Sequence, residues 1–313
     1  MKGLTNMTPK KLTVLILALA LILPLTACGR KSAEPVPTQT TEPTDEPTDE
    51  PTTGATDTPL STTFAAPCIA APYDYEYLTD EKQIVIRRFD EAGIQYLVAD
   101  VQLTDVHQFQ TALSSGKAFG ELEPASAMAK RSGAVLAINA DDYALHKYGT
   151  IIRNGELLRT HDTTRNMLIV DANGDFTVRS DRANEDPAAL GASLVAENVW
   201  QTFEFGPELI RDGEIVSFNP AFDVISTDPN RRDPRTAIGQ IGPLHYVIIV
   251  ADGRSESSRG MTLNELQQLM QSLGVQTAMN LDGGGSSEMW FQGEILNTPS
   301  QGEERRLSDI LYF

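Results

Sequence analysis

The sequence predicts a single domain of the α+β or mixed α/β class, with hairpin-rich mixed β-sheets and a few packed helices. Three stretches, 151–158, 167–178 and 209–216, each place an Asn-Gly or Asp-Gly pair between apolar segments, which is the pattern of a β-hairpin. Apolar residues recur clearly at helical spacing over 263–273, but such stretches are few. Hairpins therefore outnumber helices, which argues against a doubly wound parallel sheet.

The other elements are assigned in chain order. The first part of the domain is strand-like, because apolar residues alternate loosely over 83–89 and 94–103. A short helix is expected between Pro124, which suits an early helical position, and Gly133, which ends it. Continuous apolar runs predict buried strands at 134–138, 246–250 and 277–281.

The helix over 263–273 has the clearest boundaries. Thr262 and Glu265 form a capping box at its start, and Gly274 ends it. Its leucines lie on one apolar stripe, so this face is expected to pack on the core and not to bind a ligand. The order strand, helix, strand over 246–281 suggests one crossover unit and leaves open whether its strands are parallel.

Charge and composition exclude several classes of protein. The chain has 313 residues, with 25 Lys and Arg against 43 Asp and Glu, for a formal net charge of −18. A nucleic-acid partner is therefore not expected, because phosphate backbones require clustered positive charge. Two cysteines exclude a disulfide-rich scaffold, and the four histidines include no His-x-x-x-His pair for a helical zinc site.

Residues 1–27 are interpreted as a bacterial lipoprotein signal peptide. Lysines precede a mostly apolar stretch from Leu12 to Ala27, which is short for a membrane-spanning helix. It ends in Leu25-Thr26-Ala27-Cys28, which resembles a lipobox, so Cys28 is expected to be lipidated. A plain secretory signal, with Cys28 incidental, is the alternative. The lipobox predicts an extracytoplasmic protein that is held at the bacterial cell membrane only by its lipid anchor.

Residues 28–66 are predicted to be a disordered tether rich in Pro, Thr and acidic residues. The tether has almost no large apolar side chain, so it cannot bury enough surface to fold. Residues 67–313 then form the folded domain, since no second linker interrupts them. Cys68 is left as a lone thiol, and its Ala- and Pro-rich surroundings favour an inert residue.

The most informative motif lies at the end of the strand predicted over 277–281. Asn280 and Asp282 project to the same side, because side chains alternate along a strand. Backbone amides of a following glycine run can face an anion, and hydroxyls come next. A glycine-rich turn, with Asp282 as its hydrogen-bond acceptor, is the simpler interpretation. The motif continues with Gly283, Gly284, Gly285, Ser286 and Ser287.

A series of short motifs runs through the domain. They are Ala137–Tyr143, Gly149–Gly155, Phe205–Pro207, Asp212-Gly213, Pro234–Gly239, Val250–Arg254, Gly260–Leu263, Glu265-Leu266, Asn280–Ser287, Asn297–Ser300 and Glu304-Arg305. In this order they resemble the phosphodiester glycosidase family, in an uncovering-enzyme-like form, over about residues 75–313. One departure is that Ala140 and Asp142 replace the glycine and the tyrosine common in the first motif of bacterial relatives.

The resemblance implies a hydrolase that cleaves a sugar–phosphate bond at the anomeric carbon through an oxocarbenium-like transition state. A carboxylate must attack that carbon or activate water, and positive groups must hold the departing phosphate. Asp282 is assigned the first role and Arg235 the second, since a guanidinium binds phosphate through two parallel hydrogen bonds. Asn280 completes the candidate catalytic set. For Arg235 the alternative is a structural ion pair on a strand.

Substrate-binding roles are assigned to a wider set. Asn139 and Asp141 end a predicted strand, and are expected at the same rim, where they would bind sugar hydroxyls or a cation. Asp142 is interpreted as a solvated turn acid. Glu288 either faces the site or is exposed on a strand. Arg254 is interpreted as part of a turn, with a second phosphate contact as the alternative, and Arg305 is a weaker candidate. The remaining candidates are Gly283, Gly284, Gly285, Ser286, Ser287 and Arg254.

The sequence does not require a cofactor, but it leaves open an oxygen-rich Ca²⁺ or Mg²⁺ site. No spacing demands such a site, and the EF-hand pattern is absent from the sequence. The acids that could contribute are Asp141, Asp142, Asp252 and Asp282.

The sequence leaves two functions open. The first is a surface-anchored hydrolase that cleaves sugar-1-phosphodiester bonds in envelope or extracellular glycans. The second is a non-catalytic carbohydrate-binding or exopolysaccharide-assembly lipoprotein that uses the same pocket. Asp282 with Arg235 favours the enzyme, because binding a neutral glycan needs neither of them. The altered residues Ala140 and Asp142 favour the binding protein.

The lipid anchor is tested by replacing Cys28 with serine, which has no thiol to acylate. The wild-type protein should remain with the membrane fraction, and Cys28→Ser should be released from it, because the acyl chains supply the membrane affinity. Fractionation followed by immunoblotting measures this difference. Equal retention of the two proteins would refute the anchor.

Overall fold

The described part of the chain covers residues 64–180, 182, 184–219 and 228–313 of a computed structural model. The predicted signal peptide, Cys28 and most of the predicted tether lie outside these residues. Within the described part, no helix combines the length and apolar character that a membrane crossing needs.

Three α-helices and twenty β-strands make up the regular structure of the described residues. The helices are α1 (Ala125–Ser132), α2 (Pro187–Ala196) and α3 (Leu263–Ser272). The strands are β1 (Tyr75–Leu78), β2 (Lys82–Glu91), β3 (Ile94–Leu103), β4 (Gln110–Leu113), β5 (Glu123–Pro124), β6 (Leu136–Asn139), β7 (Ile151–Arg153), β8 (Glu156–Arg159), β9 (Asn166–Val170), β10 (Phe176–Arg179), β11 (Gln201–Phe205), β12 (Glu208–Arg211), β13 (Glu214–Ile215), β14 (Arg235–Gly242), β15 (His245–Ala251), β16 (Thr277–Asn280), β17 (Met289–Phe291), β18 (Glu294–Ile295), β19 (Arg306–Leu307) and β20 (Asp309–Tyr312).

These strands form sheets of very different size. The largest has eight strands in the order β1-β2-β3-β15-β14-β16-β12-β13. A five-stranded sheet has the order β18-β17-β6-β20-β4, and a three-stranded sheet the order β10-β9-β11. The pairs β19-β5 and β7-β8 complete the set. All pairings between the described strands are antiparallel, so the domain is α+β and mostly β, with antiparallel sheets where the sequence predicted mixed ones.

The main core lies between the large sheet and the two smaller ones. Ile248 of the large sheet shares a buried cluster with Ile138 of the five-stranded sheet and Phe203 of the three-stranded sheet. The opposite face of the large sheet packs on α3 through Leu266 and Met270. Helix α1 covers the five-stranded sheet, and α2 covers the three-stranded one. Because both faces of the large sheet are covered, β15 is buried at every position.

The elements defined by local turn and cap chemistry form as predicted. The three hairpins are β7-β8, β9-β10 and β12-β13. Asn154 and Gly155 have φ of 50° and 78°, and Asp212 and Gly213 have φ of 51° and 78°, as two-residue hairpin turns require. Helix α3 carries the predicted capping box, and α1 ends at Gly133 with a φ of 67°.

The predicted crossover unit forms, but its two strands are not neighbours. Strand β14 lies between β15 and β16 and is antiparallel to both, so β15 and β16 run in the same direction without pairing. Strand β14 was not assigned from the sequence, because polar residues and glycines interrupt its apolar residues. Helix α2 was also missed, although its N-cap Asp186 followed by Pro187 is a recognisable start signal.

A buried ion-pair group connects β7 to β20 and to the loop after β6. Arg153 is 2% exposed and donates hydrogen bonds to Asp309 at 2.7 Å and to Asp141 at 2.8 Å. It also donates to the carbonyl oxygens of Ile152 and Thr202. Burial raises the pKa of Asp309, and the charge of Arg153 acts against that rise. The two carboxylates are therefore stable here only while Arg153 is present.

Removing Arg153 should destabilise the domain strongly. Arg153→Ala leaves two buried carboxylates without their cation, and we expect a loss of about 3–5 kcal/mol in the free energy of unfolding. Urea denaturation of the isolated domain measures this loss. Arg259→Ala is the matched control, because its ion pair with Glu265 is long, at 3.3 Å, and exposed. The control should lose less than about 1 kcal/mol; equal losses would contradict the role of Arg153.

Candidate active site

A pocket of about 240 Å³ opens at the edge of the large sheet where β14 begins and β15 and β16 end. Arg235 pairs with Ala251 across β14 and β15, and Ala237 pairs with Asn280 across β14 and β16. Because β14 is antiparallel to both neighbours, its first residues meet their last residues at one edge. The lining residues are Phe205, Arg231, Asp233, Arg235, Arg254, Asn280, Asp282, Gly283, Gly284, Gly285 and Arg305.

The Asp282 carboxyl is half-buried in this pocket, just beyond the end of β16. Burial raises its pKa to about 6, and the negative charge of Asp142 adds to the rise. A hydrogen bond with Ser286 and the charge of Arg305 act in the opposite direction. At neutral pH the carboxylate is therefore ionised but close to its pKa, which suits a group that accepts a proton during a reaction.

Asn139 holds the backbone of Asp282 in place. It is 1% exposed at the end of β6, and its Nδ2 donates to the carbonyl oxygen of Asp282 at 2.6 Å. Its Oδ1 accepts from the Thr236 hydroxyl at 2.8 Å and from the Glu288 amide at 3.2 Å. Asn139, which the sequence assigns to substrate binding, therefore joins the two sheets and does not line the pocket.

Four arginines and two carboxylates line the pocket, which leaves it positive. Asp233 accepts from Arg254 at 2.7 Å and pairs with Arg231 at 2.9 Å. Arg235 instead donates to the carbonyl oxygens of Met261 and Arg231, and its distance to Asp233 is 3.9 Å. Burial lowers the pKa of Arg235 to about 10, so the group stays cationic at neutral pH. This arrangement is suited to holding an anion.

The glycine run lets the loop pack closely against its neighbours. A Cβ at Gly283 would lie 2.9 Å from the carbonyl oxygen of Pro234, and a Cβ at Gly285 would lie 2.3 Å from Nη2 of Arg305. The Gly284 amide donates to the Pro234 carbonyl at 2.9 Å, so this amide is not free to bind an anion. Guanidinium groups, more than the predicted loop amides, supply the donors of the pocket.

The two serines after the glycines have different surroundings. The Ser286 hydroxyl accepts from Nη1 of Arg305 at 3.2 Å and also contacts the Asp282 carboxylate, so it links these two pocket residues. Ser287 is buried and does not line the pocket. Its hydroxyl has no hydrogen-bond partner among the described residues. Ser286 is also buried and does not line the pocket, so neither serine faces it directly, although Ser286 contacts two residues that do.

Known proteins share this domain. The sequence profile of the family described as phosphodiester glycosidase matches residues 132–313. The chain belongs to the phosphodiester glycosidase family. A Bacillus subtilis (strain 168) relative, SPbeta prophage-derived uncharacterized protein YomE, is 30% identical over 261 residues, which are 75% of this chain and 39% of that protein. Mouse N-acetylglucosamine-1-phosphodiester alpha-N-acetylglucosaminidase is 27% identical over 165 residues, which are 49% of this chain and 30% of the mouse protein.

A solved phosphodiester glycosidase structure has a similar fold. It is the zebrafish N-acetylglucosamine-1-phosphodiester alpha-N-acetylglucosaminidase catalytic domain, auto-inhibited by its pro-peptide. The TM-score is 0.57 at 19% identity, over 74% of this chain and 82% of that one. This likeness extends to the fold alone. The present chain spans less than two fifths of the length of either the Bacillus or the mouse relative.

Two acids of the first family motif lie apart from the pocket lining. Asp141, which the sequence assigns to substrate binding, is held by Arg153 in the buried ion-pair group and does not line the pocket. Asp142 was expected to be a solvated turn acid, and that expectation is wrong. It is 9% exposed and pairs with Arg165 at 2.6 Å and His146 at 2.8 Å, because the turn folds back toward the start of β9.

The four acids considered for a Ca²⁺ or Mg²⁺ site are Asp141, Asp142, Asp252 and Asp282, and they have different hydrogen-bond and ion-pair partners. Asp252 accepts from the Asn297 side chain at 3.1 Å and from the Thr298 amide at 3.0 Å. Asp282 lines the pocket without the other three. Over the described ranges, no group of three or more His, Cys, Asp or Glu side chains is placed to hold a metal ion. Each carboxylate has its own protein partners instead.

Three pocket residues are absent from the sequence-based predictions: Phe205, Arg231 and Asp233. A signal for two of them exists, since Arg231 and Asp233 lie directly before the Pro234-Arg235 motif in one of the few arginine clusters of an acidic chain. Phe205 belongs to a family motif, but its motif gives no indication that the ring faces the pocket.

Gly285→Ala should displace Arg305 and weaken anion binding. The added methyl group would lie 2.3 Å from Nη2 and 2.6 Å from Cζ of Arg305, so the guanidinium must move. We expect the affinity for inorganic phosphate to fall by about tenfold, equivalent to the loss of one charge-assisted hydrogen bond. Calorimetric titration measures this affinity.

Gly242→Ala is the matched control, because an added Cβ there meets no atom within 4 Å. It should bind phosphate as the wild-type protein does. Unchanged phosphate affinity in Gly285→Ala would show that Arg305 takes no part in holding an anion.

Proposed function

We propose that this domain hydrolyses sugar-1-phosphodiester bonds. The observation that carries the proposal is the Asp282 carboxylate in one pocket with four guanidinium groups. A neutral glycan needs no such excess of positive charge, whereas a phosphodiester places a negative charge beside the anomeric carbon. Membership of the phosphodiester glycosidase family supports this reaction type. The mouse relative is named as an enzyme that acts on a sugar-1-phosphodiester.

Asp282 is the proposed base or nucleophile. Its carboxylate either takes a proton from the attacking water or attacks the anomeric carbon itself. With a pKa near 6 it is ionised at neutral pH and remains basic enough to accept a proton. An ionised carboxylate also stabilises the positive charge that develops on the sugar ring as the glycosidic bond breaks.

Arg235 is the proposed phosphate clamp. Its Nε and Nη2 donate to carbonyl oxygens, and its ion pair with Asp233 is long, at 3.9 Å, so much of its positive charge remains available to a substrate anion. The leaving group is a phosphate monoester, whose second pKa of about 6 makes it a good leaving group. A strong general acid is therefore unnecessary, and arginine can stabilise the departing charge directly.

The other pocket residues take supporting roles in the proposal. Asn280 donates to the Gly206 carbonyl at 2.8 Å. Its Oδ1 is buried without a hydrogen-bond partner in the part of the chain that the structure describes, and we assign it to a substrate hydroxyl that would reach it after a local shift. Arg254 is assigned a second phosphate contact. Asp233 is held by Arg254 and Arg231, and we assign it to positioning these two guanidinium groups.

We further propose that the substrate belongs to the cell envelope or its surroundings. This follows from the lipobox at Cys28, which would place the domain outside the cytoplasm at the end of a tether. Polymers with glycosyl-1-phosphate linkages are the substrate class that combines this location with the positive pocket. The membrane contact would be the lipid anchor alone.

Asp282→Asn should lower kcat/KM by at least about 10²-fold, the low end of the contribution from a positioned acid or base. Activity of the wild type should rise with pH through about 6, because only ionised Asp282 can act, and this rise should vanish in the variant. The assay measures reducing sugar released from a panel of sugar-1-phosphodiesters.

Arg235→Lys should slow cleavage and leave affinity for the free neutral sugar nearly unchanged, because lysine lacks the two-pronged geometry of a guanidinium group.

Asp80→Asn, at an exposed position outside the pocket, is the control and should retain full activity. Full turnover by Asp282→Asn would make Asp282 structural. If the wild type binds glycan but releases no sugar from any phosphodiester, the domain is a carbohydrate-binding protein and not an enzyme.

A further inference from the structure

A second pocket, of about 380 Å³, lies where the loop before β11 meets the turn of the β7-β8 hairpin. Asn198 and Trp200 line it from the segment between α2 and β11, and Gly155 lines it from the hairpin turn. His107, from the segment between β3 and β4, completes the rim. None of these four residues lines the pocket that contains Asp282, so the two sites are separate.

The side chain of Trp200 is held in a fixed orientation in this second pocket. Its backbone amide donates to the Val170 carbonyl at 2.9 Å, and its carbonyl oxygen accepts from the Gly155 amide at 2.8 Å. Its indole Nε1 donates to the Phe109 carbonyl at 2.6 Å, which fixes the ring as well. The ring is only half-buried, so part of a rigid aromatic surface faces the pocket. A ligand that stacks on this surface would lose little binding energy to the ordering of the side chain.

Two polar side chains stand beside this aromatic surface. The His107 ring meets the Trp200 ring edge-on, with 4.7 Å between the ring centroids. Nδ1 of His107 lies 2.6 Å from the Asp105 carboxylate, which leaves Nε2 for a ligand. Asn198 is exposed, and no partner for its side-chain amide is found among the described residues. The second pocket therefore combines an aromatic surface with a free amide, which both donates and accepts, and an imidazole nitrogen.

The second pocket is suited to a neutral ligand. Among the described residues that line it, none is Asp, Glu, Lys or Arg, whereas four arginines and two aspartates line the pocket that contains Asp282. A phosphate group is not expected here, because no charge would balance it. The rest of the lining is apolar and includes Val195, which is 45% exposed. A sugar ring fits this combination, because one of its faces presents C–H groups and its rim carries hydroxyls.

We propose that the second pocket is a non-catalytic site for a neutral sugar residue of a glycan, with the sugar face on Trp200 and its hydroxyls on Asn198 and His107. This binding goes beyond the proposed hydrolysis and does not depend on it. Trp200 directly precedes β11, and Phe205, the last residue of β11, lines the pocket that contains Asp282. At about 3.3 Å per residue, these two positions are about 17 Å apart along the strand. A glycan chain held at the second pocket would therefore have a raised effective concentration at the first.

The test titrates the full-length chain with three neutral tetrasaccharides: maltotetraose, cellotetraose and chitotetraose. The chain has two tryptophans, and the other one, Trp290, is 4% exposed and packs in the cluster under α1. A change in tryptophan emission during the titration therefore reports on Trp200. We expect at least one of the tetrasaccharides to bind and to change this emission.

Two variants and a control locate the binding, with calorimetric titration as the measurement. Trp200→Ala should weaken binding at least about tenfold, since truncating a central aromatic contact has a large effect. Asn198→Gly should weaken it about fivefold, because it removes the amide that bonds the sugar. Glycine also suits the φ of 56° at this position. Phe119→Ala is the matched control, because Phe119 is an aromatic residue that is 50% exposed and lies outside both pockets. It should bind as the wild-type protein does.

Circular dichroism checks that each variant is folded, and Asn198→Gly decides the test if Trp200→Ala does not fold. The proposal is overturned if none of the three tetrasaccharides binds the wild type, or if the folded variants bind as tightly as the wild type. An equal loss in Phe119→Ala would also contradict it. Tetrasaccharide binding without cleavage of any sugar-1-phosphodiester contradicts the proposed enzyme and supports the second site. Cleavage without tetrasaccharide binding contradicts the second site alone.

Discussion

The site depends on the buried side chain of Asn139, which connects the large sheet, the five-stranded sheet and the loop that carries Asp282. Its side-chain oxygen accepts hydrogen bonds from the Thr236 hydroxyl in the large sheet and from the Glu288 amide, just before β17 of the five-stranded sheet. Its side-chain nitrogen donates to the Asp282 carbonyl oxygen. Only a neutral amide can donate and accept at once in this position; an aspartate would accept only, leaving the Asp282 carbonyl unpaired in the interior. The direction in which Asp282 faces is therefore set by a residue that does not line the pocket.

The net charge of the pocket lining is opposite in sign to that of the whole chain. The sequence carries a net charge of −18, yet the pocket has four arginines to two aspartates. Burial moves the pKa of Asp282 up and that of Arg235 down, and both groups still remain ionised at neutral pH. Asp233 binds Arg254 and Arg231 closely, and its ion pair with Arg235 is longer, at 3.9 Å. A bound anion would balance the excess positive charge of the pocket. A cleft lined by positive groups also attracts anions, because it focuses the electrostatic field.

The elements that could be predicted are those whose signals are local. Hairpin turns and the α3 capping box depend on a few adjacent residues, and these elements form within one or two residues of their expected ends. Strand β14 depends on its neighbours instead. Its eight residues mix arginine, glutamine and glycine with apolar side chains, and it is a strand because β15 and β16 bond to both of its edges. Its omission also hid the true order of the crossover strands.

The order of residues along the chain indicated some of the side chains that line the pocket, including Asp282, Arg235 and Arg254. Asp282 and its glycines stand at a strand end, and the order of the family motifs brought Arg235 and Arg254 into consideration. The pairing of the charges, in contrast, is determined in the folded domain. Asp141 pairs with Arg153, and Asp142 pairs with Arg165, two arginines that the sequence did not connect with these acids. The reason is physical. A buried charge must find a partner, and that partner comes from a segment that is distant in sequence and adjacent only in the fold.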